Sequence, residues 1–359
     1  MENNVLTCDT VTLDDGASSL VIIDQTKLPN ALALLALKTQ AEIWEAIRAL
    51  KVRGAPAIGV AAAYGLYLAA KEIETASQEE FLVRLRAAAD YLNGSRPTAV
   101  NLSWALRRMM AVAESACQRG EGVPKVRQRL MAEATRIQEE DIEICRKIGV
   151  YGLSLLRPGD GIITHCNAGK LATSRYGTAT APLYLGHAQG YGFRVFCDET
   201  RPLLQGARLT AFELMAAGMD VTLIGDGMAA SVMKKGWANA VITGCDRVAA
   251  NGDAANKIGT LPLAIAARHF GIPFYLCAPS STIDLDTPCG GDICIEERAA
   301  EELTTMWYEK PMAPPDVKVF NPAFDVTDAS LITGIITERG ILYPPYGEAL
   351  AKLMGHQGE

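Results

Sequence analysis

The chain has 359 residues, of which 49% are hydrophobic and 21% charged, and its net charge is −7. This length favours two domains, because single hydrophobic cores stop growing near about 250–300 residues. The acidic balance excludes a general binder of nucleic acid or of anionic membranes, so we expect neither as a partner.

The first part of the chain, to about residue 150, shows mainly helical periodicity. Residues 10–23 predict a β-hairpin, in which two apolar runs flank the turn Asp14-Asp15-Gly16. Apolar residues at helical spacing then predict helices at 38–50, 57–74, 78–92, 102–118 and 124–147. Residues 1–150 are therefore a predicted N-terminal domain, mainly helical with a small β element.

The second part, residues 151–359, alternates short apolar runs with helical segments. The runs predict strands at 161–165, 193–198, 221–225, 240–245 and 273–278. The segments between them predict helices at 172–188, 206–218, 227–236 and 257–270. Strands that alternate with helices are typical of an α/β domain with a parallel sheet and helices on both faces.

No targeting or membrane-spanning segment is apparent in the sequence. Residues 1–15 contain neither the basic nor the apolar region of a secretory signal. No apolar run reaches the roughly 18 residues that a spanning helix requires. The nine cysteines are scattered and form no CxxC pair. Free thiols are typical of a reducing compartment, so we expect a cytoplasmic protein with no metal site and no cofactor.

Polar side chains follow each predicted strand, at the edge of a parallel sheet where ligands bind. The segments that carry them are His165-Cys166-Asn167, Asp198-Glu199-Thr200-Arg201, Gly225-Asp226-Gly227, Cys245-Asp246-Arg247 and Ser280–Asp284. One polar group after a strand is ordinary, but a succession of them with paired acidic and basic residues indicates a catalytic or binding site.

Two further segments have the composition of anion sites. In Arg53-Gly54-Ala55-Pro56, the proline suits the first turn of a helix whose free N–H groups, with Arg53, could hold a phosphate. In Asn251–Thr260, Asn256 and Lys257 stand where a helix is predicted to begin. Both segments also fit plain loop-to-helix junctions with solvent-facing polar residues. Gln205 and the loop residue Arg96 are compatible with sugar or phosphate contacts but indicate little alone.

A competing motif favours a dinucleotide-binding dehydrogenase. Gly225-Asp226-Gly227-Met228-Ala229-Ala230 fits G-x-G-x-x-[GA], and Asp246 lies 20 residues further on, where such enzymes bind the ribose. This fingerprint usually follows the first strand of its sheet, whereas here it follows the third predicted strand. Close packing of a helix on a strand is the simpler interpretation.

Taken in order, these strings resemble the methylthioribose-1-phosphate isomerase family, which shares a superfamily with regulatory subunits of the translation-initiation guanine-nucleotide exchange factor. The resemblance covers nearly the whole chain. The strings that carry it are Arg53–Gly59, Thr164–Gly169, Asp198–Pro202, Gln205–Thr210, Gly244–Val248, Asn251–Asp253 and Asn256–Thr260. The regulatory relatives keep the last block but lack the Cys-Asn-Ala-Gly and Asp-Arg elements, which favours the enzyme.

The resemblance implies a helical N-terminal domain, a Rossmann-like C-terminal domain and a homodimer that acts on a small sugar phosphate. It implies Cys166 and Asp246 as the catalytic pair. It also implies substrate contacts at Arg53, Gly54, Ala55, Arg96, Gln205, Asn256 and Lys257. Two departures from the family pattern are Lys170, where a smaller or apolar residue is expected, and Cys245, where alanine is commoner.

The implied reaction is an aldose–ketose isomerisation in methionine salvage, from 5-methylthioribose 1-phosphate to 5-methylthioribulose 1-phosphate. As the general acid, Asp246 needs a raised pKa, for which we expect a partly apolar pocket. Cys166 is either the base that removes the C2 proton or a polarising group beside a hydride shift. A 5-deoxyribose 1-phosphate substrate, a ribose 1,5-bisphosphate isomerase and a non-catalytic sugar-phosphate or nucleotide sensor remain alternatives.

Overall fold

A computed structural model of the protein describes residues 5–97 and 99–355. The chain divides into two units, which are described separately. The first comprises the chain up to Glu143 together with Lys170–Gly177, and the second comprises Ile144–Gly169 and the chain from Thr178 onward. Within the described ranges, no helix has both the length and the apolar character needed to cross a membrane.

The first unit consists of a small antiparallel sheet and a set of helices. The strands are β1 Val11–Asp14, β2 Ser19–Ile23 and β3 Leu34–Leu37, in the order β1-β2-β3. The helices are α1 Gln40–Arg48, α2 Ala55–Glu72, α3 Gln78–Asn93, α4 Val100–Gln118 and α5 Val123–Leu153. Helix α5 continues into the second unit from Ile144.

Helix α2 is the centre of the first unit's core. It is rich in alanine and apolar all round, and every residue from Ala57 to Ala70 is buried, as expected of a helix surrounded by other elements. Gly65 permits close packing there, because an added Cβ would lie 3.3 Å from Ile43. The capping box of Thr39 and Glu42 begins α1.

The described part of the second unit contains eleven strands in two sheets. In chain order the strands are β4 Gly161–Thr164, β5 Arg194–Asp198, β6 Asp220–Ile224, β7 Ala240–Gly244, β8 Arg247–Ala249, β9 Ala254–Lys257, β10 Phe274–Cys277, β11 Ile283–Asp284, β12 Phe324–Thr327, β13 Gly334–Thr337 and β14 Gly340–Leu342. The larger sheet has the order β14-β13-β10-β7-β4-β5-β6, and the smaller has the order β11-β8-β9-β12.

The helices of the second unit are mostly short. They are α6 Ala181–Ala188, α7 Ala211–Ala216, α8 Ala229–Lys234, α9 Thr260–Phe270, α10 Glu301–Thr304 and α11 Tyr346–Gly355. A π-helix, Gly206–Thr210, immediately precedes α7. Such segments are rare and are frequent at functional sites.

The order of the larger sheet defines where a ligand is expected to bind. The chain adds β5 and β6 on one side of β4, and then β7, β10 and β13 in parallel on the other. Only the edge strand β14 is antiparallel to its neighbour. This is the Rossmann order, whose topological switch point lies between β4 and β7. The predicted fold class is confirmed.

Two predicted helices begin later than expected. The segment 172–188 becomes helical only at Ala181, because Lys170–Gly177 belongs to the first unit. The segment 257–270 becomes helical only at Thr260, because Ala254–Lys257 pairs with β12 as a strand. Strand β3 was not predicted, since its four residues carry no clear alternation and only pairing with β2 defines it.

Candidate active site

Cys166 follows β4 and is held in an unusual backbone conformation. Its φ is +63°, in the left-handed region that non-glycine residues rarely adopt, at a free-energy cost of about 1–2 kcal/mol. Its N–H donates to Thr200 Oγ1 at 2.8 Å, and its carbonyl accepts from Thr210 Oγ1 at 2.6 Å. The residue is only partly buried, so the side chain is accessible at the sheet edge.

The turn after β5 is held by hydrogen bonds to Asp226, a residue that follows β6. Thr200 also has a positive φ, +64°. The two carboxylate oxygens of Asp226 accept the N–H groups of Thr200 at 2.7 Å and of Arg201 at 2.8 Å. In the sequence, Asp226 was notable only as part of a nucleotide-binding fingerprint. Its contribution to this turn depends on contacts between neighbouring strands, for which the sequence carries no signal.

A buried ion pair lies below the same edge. His165 Nδ1 is 3.0 Å from Asp198 Oδ2, and Nε2 donates to the carbonyl of Ile258 at 2.8 Å. Burial lowers the pKa of His165, but its bond to Asp198 and the charges of Asp198 and Asp226 outweigh this and raise the pKa. Burial raises the pKa of Asp198 as well, and its hydrogen bond to His165 partly offsets this rise.

His165, Asp198 and Asp226 are residue types that can bind a metal ion. Within the described part of the chain, His165, Asp198 and Asp226 form the one group whose ligand atoms lie within 4.8 Å of one another. His165 hydrogen-bonds to Asp198 and to the Ile258 carbonyl, and Asp226 accepts from the backbone N–H groups of Thr200 and Arg201. The arrangement is that of a hydrogen-bonded network linking the ends of β4, β5 and β6.

Gly259 is required for the close approach of His165. Its φ is +103°, and an added Cβ would lie 2.6 Å from Cε1 of the imidazole. We expect Gly259→Ala to lower the free energy of unfolding by about 2–4 kcal/mol, because backbone strain and a clash with a buried ring add. Urea unfolding measures this change.

Gly236 provides the matched control for this substitution. It also has a positive φ, +67°, but an added Cβ would meet nothing within 4 Å. Gly236→Ala should therefore lower the free energy of unfolding by only about 1 kcal/mol, the strain alone. Equal losses for the two variants would show that the contact with His165 has no energetic weight.

A buried carboxylate supports the loop that follows Cys166. Glu213 of α7 is fully buried and accepts from Asn167 Nδ2 and Thr180 Oγ1, both at 3.4 Å. Gly169 passes so close that an added Cβ would lie 1.8 Å from Glu213 Oε1. Nothing in the sequence distinguishes Glu213 from an ordinary polar residue of an amphipathic helix.

Asp246 follows β7, the strand next to β4. The two strand ends approach closely, because an added Cβ on Gly244 would lie 2.4 Å from the Ala168 side chain. The backbone N–H of Asp246 donates to Ala255 at 3.0 Å. Its side chain is exposed, so the partly apolar pocket expected around it is not present. The neighbouring Cys245 is partly buried, and burial raises the pKa of its thiol.

The other predicted contacts of the second unit lie at the same edge. Gln205, which precedes the π-helix, is buried, and its side-chain oxygen has no hydrogen-bond partner in the described residues. Asn256 and Lys257 end β9 rather than beginning a helix. Asn256 Nδ2 donates to Thr260 Oγ1 at 3.0 Å, and Lys257 Nζ to the Ala323 carbonyl at 2.7 Å. The bond from His165 to Ile258 brings this segment to the end of β4.

The remaining predicted contacts belong to the first unit. Gly54 is the N-cap of α2, with a φ of +93°, and Ala55 is the first helical residue. Within residues 5–97 and 99–355 no side chain caps this N-terminus, so its N–H groups are suited to an anion. An added Cβ on Gly54 would lie 2.4 Å from the Ala172 backbone. Arg53 directly precedes the cap, and Arg96 lies between α3 and α4.

Lys170, the first departure from the family pattern, is buried in the first unit. Its ammonium donates to the carbonyl of Cys8 at 2.6 Å, and its own carbonyl accepts from Thr10 Oγ1 at 2.8 Å. The long side chain therefore has a structural role in joining the segment Lys170–Gly177 to the N-terminal strand region.

The dinucleotide fingerprint does not lie where such motifs bind. It follows β6, the outer parallel strand, and two strands separate β6 from β7, which precedes Asp246. A dinucleotide site needs the glycines at the first, central strand and the acidic residue at its neighbour. The helix that begins within the motif, α8, has six residues, and Asp226 accepts from backbone amides. Close packing does not explain the glycines, because an added Cβ on Gly227 would meet nothing within 4 Å and one on Gly225 would lie 3.5 Å from its nearest neighbour, Met228.

Known proteins are similar to this chain over nearly its whole length. The model of the Initiation factor 2 subunit family matches residues 51–344. A methylthioribose-1-phosphate isomerase from Symbiobacterium thermophilum is 62% identical over 349 residues, which are 97% of each chain. A 5-deoxyribose 1-phosphate isomerase from Petrotoga mobilis is 55% identical over 343 residues, covering 96% of this chain and 98% of the relative.

Solved structures share the whole fold. The crystal structure of 5-methylthioribose 1-phosphate isomerase from Pyrococcus horikoshii OT3 aligns with a TM-score of 0.92 and 44% identity, covering 97% of this chain and 96% of that one. A structure titled translation initiation factor eIF-2B, subunit delta, from A. fulgidus aligns with a TM-score of 0.88 and 44% identity, covering 97% and 99%. The chain therefore belongs to the Initiation factor 2 subunit family, within which it is similar to methylthioribose-1-phosphate isomerases.

Proposed function

We propose that the protein is an aldose–ketose isomerase that converts 5-methylthioribose 1-phosphate to 5-methylthioribulose 1-phosphate in methionine salvage. The observation that carries this proposal is the position of Cys166 and Asp246 after the adjacent strands β4 and β7, at the switch point of the sheet. A thiol and a carboxyl at neighbouring strand ends supply the base and the acid that this isomerisation needs.

The chemistry follows from the phosphate on C1, which prevents the sugar from opening to a free aldehyde. Asp246 donates a proton to the ring oxygen, and the bond between that oxygen and C1 breaks while the phosphate stays attached. The Cys166 thiolate removes the proton from C2, which leaves an enol phosphate with a double bond between C1 and C2. A proton then adds to C1, and loss of the 2-hydroxyl proton gives the ketone.

The remaining residues bind the substrate in this scheme. The unpaired amide oxygen of Gln205 is an acceptor for a sugar hydroxyl, because an unsatisfied buried acceptor gains most from a bound donor. Asn256 and Lys257 contribute an amide and a positive charge from the end of β9. Arg53, Arg96 and the N–H groups at Gly54 and Ala55 bind the phosphate, since a helix N-terminus beside an arginine favours an anion.

A comparison of kcat/KM for three sugar phosphates would determine which substituent on C5 the protein prefers. We expect the purified protein to turn over 5-methylthioribose 1-phosphate and, with lower kcat/KM, 5-deoxyribose 1-phosphate, the substrate named for a relative at 55% identity. Ribose 1,5-bisphosphate should be a poor substrate, because a second phosphate needs a second cluster of basic residues. A kcat/KM that is highest for the bisphosphate would replace our assignment with that of a ribose 1,5-bisphosphate isomerase.

A regulatory role is the alternative favoured by the similarity to the eIF-2B subunit structure. A non-catalytic sensor would bind the sugar phosphate in a calorimeter but show no product by NMR after prolonged incubation, whereas an isomerase yields the ketose. We also propose, from the family resemblance, that the chain forms a homodimer and acts in the cytoplasm. Size-exclusion chromatography with light scattering would measure the assembly.

A further inference from the structure

We propose that Thr200 and Thr210 are positioning residues that hold the backbone of Cys166 in its left-handed conformation and thereby aim its thiol. This inference rests on the proposed function, in which Cys166 is the base. It goes beyond it, because neither threonine is among the residues proposed to touch substrate. Both are buried side chains whose hydroxyls contact Cys166 through its main chain alone.

The two hydroxyls bind both polar groups of the Cys166 backbone. The N–H of Cys166 donates to Thr200 Oγ1 at 2.8 Å, and its carbonyl accepts from Thr210 Oγ1 at 2.6 Å. The pairing of β4 with β5 ends at Thr164, so no ladder bond among the described residues binds these groups instead. A left-handed conformation at a residue with a side chain persists only where its surroundings determine it, and here these two bonds do so.

Each threonine hydroxyl donates its single proton to one backbone carbonyl, so the donor and acceptor in every bond of this pair are defined. Thr200 Oγ1 donates its proton to the Asp198 carbonyl at 3.1 Å, which leaves a lone pair for the Cys166 amide. Thr210 Oγ1 donates to the Cys166 carbonyl and accepts from Asn167 Nδ2 at 3.1 Å. Both patterns match what a hydroxyl offers, one donor and two lone pairs.

The threonines are themselves held in place by neighbouring elements of the fold. Asp226 binds the N–H groups of Thr200 and Arg201, so the turn that carries Thr200 is fixed from β6. Thr210 ends the π-helix, whose first residue, Gly206, has no side chain because a Cβ would lie 1.7 Å from the Asp198 carbonyl oxygen and 2.9 Å from Thr200 Oγ1. The left-handed residue Thr200 and the π-helix that ends at Thr210 therefore both supply hydrogen bonds to the backbone of Cys166.

The test compares valine with serine at each position. Thr200→Val and Thr210→Val keep the shape and remove the hydroxyl, whereas the serine variants keep the hydroxyl and serve as matched controls. We expect each valine variant to lower kcat by about 10–100-fold with KM within about twofold, because a misplaced base slows chemistry without weakening binding. The serine variants should stay within about threefold of the wild-type kcat.

A second readout needs no substrate. Mass spectrometry follows alkylation of the Cys166 peptide by iodoacetamide, and the valine variants should change its rate constant by more than about threefold while the serine variants do not. If the wild type shows no isomerase activity, the proposed function fails, but this comparison still tests the positioning role. If a valine variant does not fold, Thr200→Ala and Thr210→Ala take its place. Equal kcat and equal alkylation rates for the hydroxyl-free and hydroxyl-bearing variants would overturn the inference.

Discussion

Replacing Cys166 by serine is expected to lower kcat by about 10²–10⁴-fold, the usual contribution of a general base. A serine hydroxyl is nearly isosteric with the thiol but does not ionise near neutral pH, so the base is lost while the loop is kept. The partly buried position predicts little change in the free energy of unfolding. The measurement is turnover of 5-methylthioribose 1-phosphate at saturating substrate, with urea unfolding alongside.

Two comparisons make this result specific. Cys294 is exposed and has no role in the proposed site, so Cys294→Ser is the matched control and should retain the wild-type kcat. Substrate labelled with deuterium at C2 then distinguishes the two routes. Loss of the label to water supports removal of the C2 proton by Cys166. Full transfer of the label to C1 would instead support a hydride shift and exclude Cys166 as the base.

Replacing Asp246 by asparagine is expected to lower kcat by a similar factor, about 10²–10⁴-fold, with a small effect on KM. The amide has nearly the shape of the carboxyl group but does not donate a proton to the ring oxygen, so the ring C–O bond opens without acid assistance. Because the side chain is exposed, the substitution should leave folding unchanged. The desolvation that a protonated carboxyl needs must then come from the bound substrate.

The control for this variant lies at the amino ends of the strands of the same sheet, away from the carboxyl ends where Asp246 lies. Asp220 is the first residue of β6 and is also exposed, so Asp220→Asn removes one carboxylate at the end of the sheet remote from the proposed site. It should retain the wild-type kcat and KM. An Asp246→Asn enzyme with a kcat within about threefold of the wild type would exclude this residue as the general acid.

The parallel sheet could be predicted because its strands are short apolar runs. Each of the five predicted strands is present with ends within one residue of the expected ones. The smaller sheet and β3 could not be predicted, because their strands are defined by pairing partners distant in the sequence, such as β12 for β9. The late start of α6 had the same cause, since residues 170–177 pack in the other unit.

The motif residues of the candidate site could be predicted from the sequence, but the residues that hold them in place could not. The residues at the strand ends could be named because topology alone brings the carboxyl ends of parallel strands to one edge. The parts played by Thr210, Asp226 and Glu213 could not be predicted, because each depends on hydrogen bonds to residues distant in the sequence. The environment of Asp246 was wrongly expected to be apolar, since alternation at a strand end does not say which of two neighbours is covered.

The path of the chain between the two units limits how the protein can be taken apart. It passes from one unit to the other after Glu143, after Gly169 and after Gly177. The short piece Lys170–Gly177 is bound within the first unit by Thr10, Gln25 and Asp141. A division of the gene near codon 150 would thus leave the N-terminal fragment without Lys170–Gly177, the segment that completes the first unit. The C-terminal fragment would lack the start of the second unit at Ile144. We therefore expect neither fragment to reach its native fold when it is expressed alone.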